Sequence, residues 1–153
     1  MESMEIDALN LAMNTIEQLS GNIHSHVGSG LRKRTSQILC EITGGKYQEV
    51  LMDQDFGMSV NTQDRIVPLE RLSRGTMEQI YFSLRMAAGE LFCGKESFPV
   101  ILDDVFGMYD EDRLAAVLRW LYKEQKQIII STCHKREMEI LDKEGIPYQK
   151  LLL

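Results

Sequence analysis

The chain has 153 residues, of which 44% are hydrophobic and 26% charged, a composition typical of one globular domain of ordinary size. Its 17 lysines and arginines against 23 aspartates and glutamates give a net charge of −6, which argues against a surface that grips nucleic acid unaided. No apolar run reaches the roughly 18 residues of a membrane span and no signal-peptide pattern opens the chain, so we expect a cytoplasmic protein with no membrane role.

The first predicted element is a helix with apolar residues spaced three and four apart, as in a heptad seam, except that Ser20 occupies one of the positions. These residues are Ile6, Leu9, Met13, Ile16, Ile23 and Val27. The seam covers only about three heptads, so the end of a coiled coil and an ordinary amphipathic helix both fit. Gly28-Ser29-Gly30 weakens helical preference and predicts a break, which divides the chain into residues 1–30, an N-terminal helix and possible coiled-coil stub, and residues 31–153.

A second helical stretch begins near Leu31 and is predicted to close at Gly44-Gly45, where a left-handed cap would form. Three β-prone runs follow, at residues 47–52, 56–60 and 65–69. The first two are predicted to form a hairpin and the third to add a strand.

Beyond residue 68 the pattern alternates between helix and strand. Helices are predicted at residues 76–92, 111–123 and 135–143, and strands at residues 100–102, 127–132 and 148–152. Such alternation is typical of a parallel sheet covered by helices, and the fold class is therefore α/β.

Some conspicuous residues are given structural roles. The cysteines Cys40, Cys93 and Cys133 form no CxxC pair, so neither a disulfide framework nor a zinc site is predicted, and buried thiols are expected. The basic clusters Arg32-Lys33-Arg34 and Lys135-Arg136 are expected to be solvated helix faces.

Residues 72–79, Leu-Ser-Arg-Gly-Thr-Met-Glu-Gln, are the most informative segment. A hydroxyl and a glycine lie just before a predicted helix, where backbone N–H groups and the helix dipole can face a phosphate. The segment resembles the ABC signature motif in the form used by SMC-like and SbcC-like ATPases, and most closely that of the bacterial YhaN-type branch. The resemblance implies that Ser73 and Gly75 face the γ-phosphate of ATP, with Arg74 and Thr76 beside them.

Two features of this segment qualify the resemblance. Arg74 stands where a more typical signature has glycine, and Thr76 stands where it has Gln or Glu, which leaves the phosphate contacts open. The alternative is a capped core helix, because Thr76 and Gln79 have capping-box spacing. Its predicted buried stripe is Ile80, Leu84, Ala88 and Leu91.

In residues 98–104 the four apolar residues 99–102 stand directly before two carboxylates, a pattern that resembles Walker B. Ligands of open α/β sheets bind at the carboxyl ends of the strands, where a first acid can hold Mg²⁺ and a second can orient or deprotonate the attacking water. Asp103 is therefore assigned as the magnesium ligand and Asp104 as the catalytic carboxylate. Most ABC ATPases have Glu at the second position, although RecF-like members also use Asp.

Two further residues follow at family spacing. Asp110 stands at the position of the D-loop acid, which crosses the dimer interface in this family, and is equally credible as the N-cap of the next helix. His134 ends a β-branched run and resembles the switch histidine, whose imidazole can donate to a γ-phosphate oxygen.

No GxxxxGK[ST] loop occurs, since residues 28–35 have the wrong spacing and Gly94-Lys95 fails similarly. The resemblance therefore covers the C-terminal lobe of an ABC-type ATPase head of the SMC/SbcC/RecF-like group, a partial P-loop NTPase fold. It implies ATP and Mg²⁺ as cofactors, a Walker A-bearing N-terminal lobe as one partner and a second head, in a homodimer, as another. The implied function is ATP hydrolysis at a head dimer interface in DNA repair or chromosome maintenance, with DNA bound by the full assembly; the chain alone is expected to be inactive.

Two other interpretations remain. The chain could be a non-catalytic half-head that serves as a binding or regulatory module. It could also be a metal-dependent nuclease, whose metal would be held by a set of carboxylates comprising Asp103, Asp104, Asp110, Glu111 and Asp112. The nuclease interpretation gives no role to residues 72–79.

Overall fold

The computed structural model describes residues 2–53, 57–94, 99–124 and 127–152, and in the first helix it describes the side chains of residues 6, 10–16 and 28–42. Phe56, which was predicted to start the second strand, and Phe98, the first residue of the segment that resembles Walker B, lie outside the described residues. Among the described residues, no helix is both long enough and apolar enough to cross a membrane.

The first helix, α1, runs without interruption from Glu2–Ile42 and so passes through Gly28-Ser29-Gly30. The predicted break there is wrong, because two glycines cost a long helix only about 1 kcal/mol each relative to alanine, and helical residues on both sides sustain it. Three residues of the predicted seam, Ile6, Met13 and Ile16, are exposed. Leu9, Ile23 and Val27 lie outside the described side chains.

The C-terminal part of α1 is the central support of the fold. Ile38, Leu39 and Ile42 are buried, and the hydroxyl of Ser36 accepts a hydrogen bond of 2.9 Å from the backbone N–H of Val50 in the first strand. The helix closes as predicted: Gly44 and Gly45 have φ of 60° and 83°, and the N–H of Gly45 donates to the carbonyl of Cys40 at 2.8 Å.

An antiparallel sheet follows, with β1 (Tyr47–Met52), β2 (Met58–Thr62) and β3 (Ile66–Pro68) in sequential order. The predicted hairpin and its third strand are confirmed. Val50 and Val60 pair directly across β1 and β2 and are both buried, and the hairpin rests on α1 through β1, whose Val50 N–H is bonded to Ser36.

A single 3₁₀ turn (Leu69–Arg71) leads into α2 (Arg74–Cys93). The predicted buried stripe on this helix is largely wrong, since Ile80 is buried but Leu84 and Ala88 are half-buried and Leu91 is 41% exposed. The buried face is displaced around the helix toward polar residues and consists of Gly75, Thr76, Gln79, Ile80, Phe82, Ser83, Met86 and Ala87.

The second half of the chain forms a parallel pair of strands, β4 (Val100–Asp103) and β5 (Ile128–Ser131), joined by α3 (Glu111–Lys123). A last helix, α4 (Arg136–Lys143), follows β5. The α/β class with parallel strands, flanking helices, an antiparallel hairpin and a long N-terminal helix is confirmed.

The parallel sheet is covered on one face. Val100 and Leu102 point into a core that α3 completes with Leu114, Val117 and Leu121. Ile101 and Ile129, on the other face, are 70% and 50% exposed, so the fully buried strands predicted from the apolar runs are half-buried ones.

Residues 148–152 do not form the predicted last strand. A strand needs a neighbour that accepts its backbone hydrogen bonds, and in the described chain β4 and β5 pair with each other alone in their sheet. Leu151 and Leu152 are instead 85% and 86% exposed.

Candidate functional site

Asp104 and His134 come together at the carboxyl edge of the parallel sheet, where Asp103 is the last residue of β4. Asp103 pairs with Ser131 in the last register position, and the N–H of Asp104 continues the ladder to the carbonyl of Ser131 at 2.8 Å. His134 follows three residues after that pair, and its Nε2 lies 4.0 Å from Oδ1 of Asp104. All of these acidic and imidazole side chains are exposed and can reach a ligand from solvent.

The backbone of Asp104 is unusual, because its φ of 48° lies in the left-handed region. Aspartate and asparagine enter that region more readily than other non-glycine residues do. The chain therefore turns sharply out of β4 at this residue, and its carboxylate remains 58% exposed beside His134.

The loop that carries His134 is held by a local hydrogen bond. The hydroxyl of Thr132 accepts from the backbone N–H of His134 at 3.0 Å, which orders the turn between β5 and α4. The imidazole, 51% exposed, is thus presented from a restrained backbone.

Ser73 caps α2. Its hydroxyl accepts a hydrogen bond of 3.3 Å from the N–H of Thr76, and its own backbone is extended, as an N-cap requires. The capping-box prediction for Thr76 is wrong, because Thr76 lies three residues inside the helix and is 2% exposed. Ser73 and Arg74 are exposed at the open end of the helix dipole, where an anion would be stabilised.

A short hydroxyl chain anchors this cap to the antiparallel sheet. Oγ1 of Thr76 lies 2.9 Å from Oγ of Ser73 and 3.5 Å from the phenol oxygen of Tyr47 at the start of β1. The position where a typical signature has Gln or Glu is thus occupied by a buried hydroxyl that positions Ser73. Thr76 supports the cap rather than projecting into solvent.

Gly75 contacts the loop between β4 and α3. A Cβ atom at Gly75 would lie 2.8 Å from the carbonyl oxygen of Met108 and 2.9 Å from Nη1 of Arg113. No side chain fits at that separation without movement of the loop. The start of α2 is therefore in direct contact with the predicted D-loop.

Asp110 is the N-cap of α3. Its Oδ1 accepts from the N–H of Arg113 at 2.9 Å, and its Oδ2 pairs with Nη1 of Arg113 at 2.7 Å. The capping role is therefore observed, while the D-loop role across a dimer interface stays a prediction. The acid remains more than half exposed, at 56%, despite this ion pair.

Arg136, at the start of α4, holds the same loop from its other side. Its guanidinium donates to the carbonyl of Tyr109 at 2.8 Å and also to the carbonyl of Phe106. The expectation that Lys135-Arg136 is only a solvated face is thus wrong for Arg136. The residue ties the segment after His134 to the segment after Asp104.

Arg34, in the other basic cluster, is also engaged. Its Nε lies 2.5 Å from Oε2 of Glu90, and its Nη2 lies 3.4 Å from Oε2 of Glu124, so it joins α1 to α2 and to the end of α3. Sequence patterns alone could not distinguish Arg34 and Arg136, which bond to other elements of the fold, from the solvated basic residues next to them.

Tyr109 is buried in the loop between β4 and α3. Burial, together with the nearby carboxylate of Glu78, raises the pKa of this phenol above its ordinary value, although the charges of Arg113 and Arg85 act in the opposite direction. Its ring meets that of Phe106 edge-on, with ring centroids 5.5 Å apart. This pair forms the apolar floor of the loop.

Cys133 differs from its expected environment. Its side chain is exposed, and Cys40 and Cys93 are half-buried, so the prediction of buried thiols is wrong. Cys133 lies at the edge of the parallel sheet, where side chains project to solvent beyond the last ladder bond. Nothing in the spacing of the three cysteines signalled this position.

The five carboxylates of the nuclease interpretation do not gather into one metal-binding group in the part of the chain that the structure describes. Asp110 is engaged with Arg113, and Glu111 and Asp112 start the exposed surface of α3. Only Asp103 and Asp104 of that set lie next to each other at the sheet edge.

Comparisons with known proteins place the chain among large relatives. It is 34% identical over 99 residues to the protein YhaN of Bacillus subtilis, a match that spans 61% of this chain and 10% of that protein. An 88-residue segment is 35% identical to a protein of Mycobacterium tuberculosis and covers 56% of this chain and 10% of that one. No protein-family model matches.

The fold is shared with SMC heads. An Smc head domain from Pyrococcus yayanosii, with a coiled coil and joint, aligns with a TM-score of 0.68 at 13% identity over 90% of this chain and 28% of its own. A head from Pyrococcus furiosus, bound to the C-terminal domain of ScpA, aligns with a TM-score of 0.65 over 88% of this chain. The SMC head from Thermotoga maritima gives 0.58 at 22% identity. The chain thus has the fold of part of an SMC ATPase head and is similar in sequence to YhaN.

Proposed function

We propose that this chain is the C-terminal lobe of an SMC-like ATPase head and that it completes two nucleotide sites in a dimer of heads. Asp103, Asp104 and His134 serve the ATP bound to the same head, and Ser73 with its neighbours serves the ATP of the second head. The match covers only about a tenth of the length of YhaN, so the proposed activity belongs to the larger assembly.

The observation that carries this proposal is the convergence at the sheet edge. Two consecutive carboxylates follow β4, and the imidazole that follows β5 lies 4.0 Å from the second of them. This is the edge at which ligands bind in open α/β sheets. A core-packing role would not leave all of these groups exposed.

The residues present fit Mg²⁺ and ATP. The exposed carboxylate of Asp103 is a hard oxygen donor of the kind that Mg²⁺ prefers. Bound Mg²⁺ would neutralise negative charge on the phosphates. Asp104 can accept a proton from, or orient, a water molecule, and the imidazole of His134 can donate a hydrogen bond to a phosphate oxygen and hold the water in place.

Two residues of the proposed signature segment, Ser73 and Arg74, are exposed to solvent. Ser73 presents a hydroxyl and Arg74 a cation at the N-terminus of α2, where the helix dipole favours an anion. Asp110 caps the N-terminus of α3. This end of α3 lies close to the start of α2, because Gly75 contacts Met108 and Arg113. These exposed groups are suited to meet the phosphates of a second head.

The exposed face of the parallel sheet supports the proposal that another lobe packs against it. Ile101 and Ile129 expose large apolar side chains on this face, and Leu151 and Leu152 in the unpaired C-terminal segment are also exposed. An N-terminal lobe that carries a GxxxxGK[ST] loop would cover this face and supply the phosphate cradle. The exposed seam residues of α1, Ile6, Met13 and Ile16, likewise support a coiled-coil arm over residues 1–30.

The proposed process is DNA repair or chromosome maintenance, carried out by a complete head dimer that binds DNA. Because this chain has a net charge of −6, the proposal assigns the DNA contacts to the rest of the larger assembly. The fold that the chain shares with SMC head domains supports this proposed process.

The test is reconstitution with a separately produced N-terminal lobe that carries a Walker A loop. The mixture should hydrolyse ATP, and neither lobe should do so alone. Asp104→Asn should lower turnover by about 10²–10⁴-fold, the usual contribution of a positioned acid or base, because asparagine tolerates the left-handed backbone but cannot accept the proton.

Glu111→Gln is the matched control, since it removes a carboxylate from the exposed start of α3 and should leave turnover unchanged. Equal turnover in Asp104→Asn and in the wild type would contradict the catalytic assignment. Tight nucleotide binding without hydrolysis in the reconstituted wild type would favour the non-catalytic half-head.

A further inference from the structure

Cys133 joins two of the proposed catalytic groups in one exposed cluster. One ligand atom from each of Asp104, Cys133 and His134 lies within 4.8 Å of the others, and all three side chains are exposed. A thiolate, an imidazole and a carboxylate are the three kinds of side chain that bind Zn²⁺ in proteins. The ligand atoms are therefore close enough that changes in side-chain rotamers alone could bring them to one metal ion.

The required adjustment is small. Zinc bonds of about 2.0–2.3 Å in a tetrahedron place ligand atoms about 3.5 Å apart. Nε2 of His134 and Oδ1 of Asp104 are already 4.0 Å apart, and rotations of exposed side chains cover the rest. A closed structural site would need a fourth protein ligand, so three ligands with an open fourth position correspond to an exchangeable ion.

The backbone around the cluster is restrained, which lowers the entropic cost of gathering the ligands. The N–H of Asp104 is bonded to Ser131 at 2.8 Å, and the N–H of His134 is bonded to the hydroxyl of Thr132 at 3.0 Å. Both hydrogen bonds lie at the carboxyl ends of the paired strands β4 and β5. The three ligand-bearing residues thus project from one fixed edge.

We propose that Asp104, Cys133 and His134 bind a thiophilic divalent cation of the zinc type, and that this ion inhibits the head by occupying the carboxylate and the imidazole. The inhibitory consequence rests on the proposed ATPase function, whereas the metal site itself does not. The thiolate distinguishes this ion from Mg²⁺, because hard cations prefer oxygen ligands and soft thiolates select zinc-like metals.

Co²⁺ is the probe, because it replaces zinc in such sites and a cobalt–thiolate bond produces an intense charge-transfer absorption. Titration of the isolated chain should show this absorption with one Co²⁺ per chain, and Zn²⁺ should displace it while a large excess of Mg²⁺ should not. Cys133→Ser should abolish the absorption, and Asp104→Asn and His134→Ala should each weaken binding by at least about tenfold.

Cys93→Ser is the matched control, since Cys93 ends α2 away from the cluster and its loss should change nothing. Retention of the cobalt–thiolate absorption in Cys133→Ser, displacement of Co²⁺ by Mg²⁺, or the absence of Co²⁺ binding would each overturn the site. Because no nucleotide enters this titration, its result is independent of whether the head hydrolyses ATP.

In the reconstituted head, Zn²⁺ should inhibit turnover of the wild type and of Cys93→Ser at concentrations that leave Cys133→Ser active. Equal inhibition of Cys133→Ser would overturn the inhibitory role. If the reconstituted head shows no turnover at all, the ATPase proposal fails while the cobalt titration still decides the metal site.

Discussion

A Cβ atom at Gly75 would lie 2.8 Å from the backbone carbonyl oxygen of Met108, so the start of α2 and the loop between β4 and α3 touch at a position where only glycine fits. The same Cβ would meet Nη1 of Arg113, which is already bonded to Asp110. The loop between β4 and α3 therefore packs directly against the N-terminus of α2.

Gly75→Ala should destabilise the fold by about 1–3 kcal/mol, because the added methyl group forces the loop or α2 to shift. Gly28→Ala is the control, since Gly28 lies in α1 with nothing within 4 Å of its added Cβ, and alanine should stabilise that helix by about 0.5–1 kcal/mol. Urea denaturation measures both. Equal stability of Gly75→Ala and the wild type would contradict the close contact.

Changes at Ser73 separate capping from phosphate binding. Ser73→Ala should lower the free energy of unfolding by about 1 kcal/mol through loss of the cap. Ser73→Asp keeps a capping oxygen and should retain stability, but its negative charge would repel a phosphate and stop ATP-dependent pairing of reconstituted heads. Thermal denaturation and sedimentation measure the two effects, and ATP-dependent pairing by Ser73→Asp would contradict the phosphate role.

Arg136→Lys should lower the free energy of unfolding by about 1.5–3 kcal/mol, because an ammonium group cannot reproduce the guanidinium fork that donates to the carbonyls of Phe106 and Tyr109. Arg119→Lys is the comparison, since Arg119 makes an exposed pair with Glu144 and should cost less than about 1 kcal/mol. Hydrogen exchange of the backbone amides in the loop between β4 and α3 should also become faster in the Arg136 variant, but not in the Arg119 variant. Similar losses in both variants would show that Arg136 does not restrain this loop.

Tyr109 should make stability fall at alkaline pH. Burial raises the pKa of this phenol in the folded chain, so the unfolded chain loses its proton first, near the ordinary value of about 10. The stabilisation is complete below that pH and is lost as pH rises above it, at up to about 1.4 kcal/mol per pH unit.

Tyr109→Phe should therefore show a shallower loss of stability above pH 10 than the wild type, in denaturation measured across that range. Tyr122→Phe, which changes a tyrosine that is 55% exposed, should behave like the wild type. Parallel curves for the wild type and Tyr109→Phe would indicate that Tyr109 does not carry the effect.

Local signals in the sequence predicted much of the fold. Helix α3 begins and ends at the predicted residues, because Asp110 supplies the cap for its first turn. The glycine pair that closes α1 and the hairpin of β1 and β2 are likewise local features. The order of Asp103, Asp104 and His134 along two strands also sufficed to predict that they share one edge of a parallel sheet.

Tertiary contacts decided what periodicity could not. The buried face of α2 includes the polar residues Thr76 and Ser83, because the hydroxyl of Thr76 meets those of Tyr47 and Ser73 and the hydroxyl of Ser83 donates to the carbonyl of Gln79. Likewise, residues 148–152 remain unpaired because a strand exists only where another backbone accepts its hydrogen bonds. The sequence alone thus determined which residues reach the sheet edge. The contact of Cys133 with Asp104 and His134 depends instead on how the two strands pair in the folded chain, which the spacing of the cysteines does not reveal.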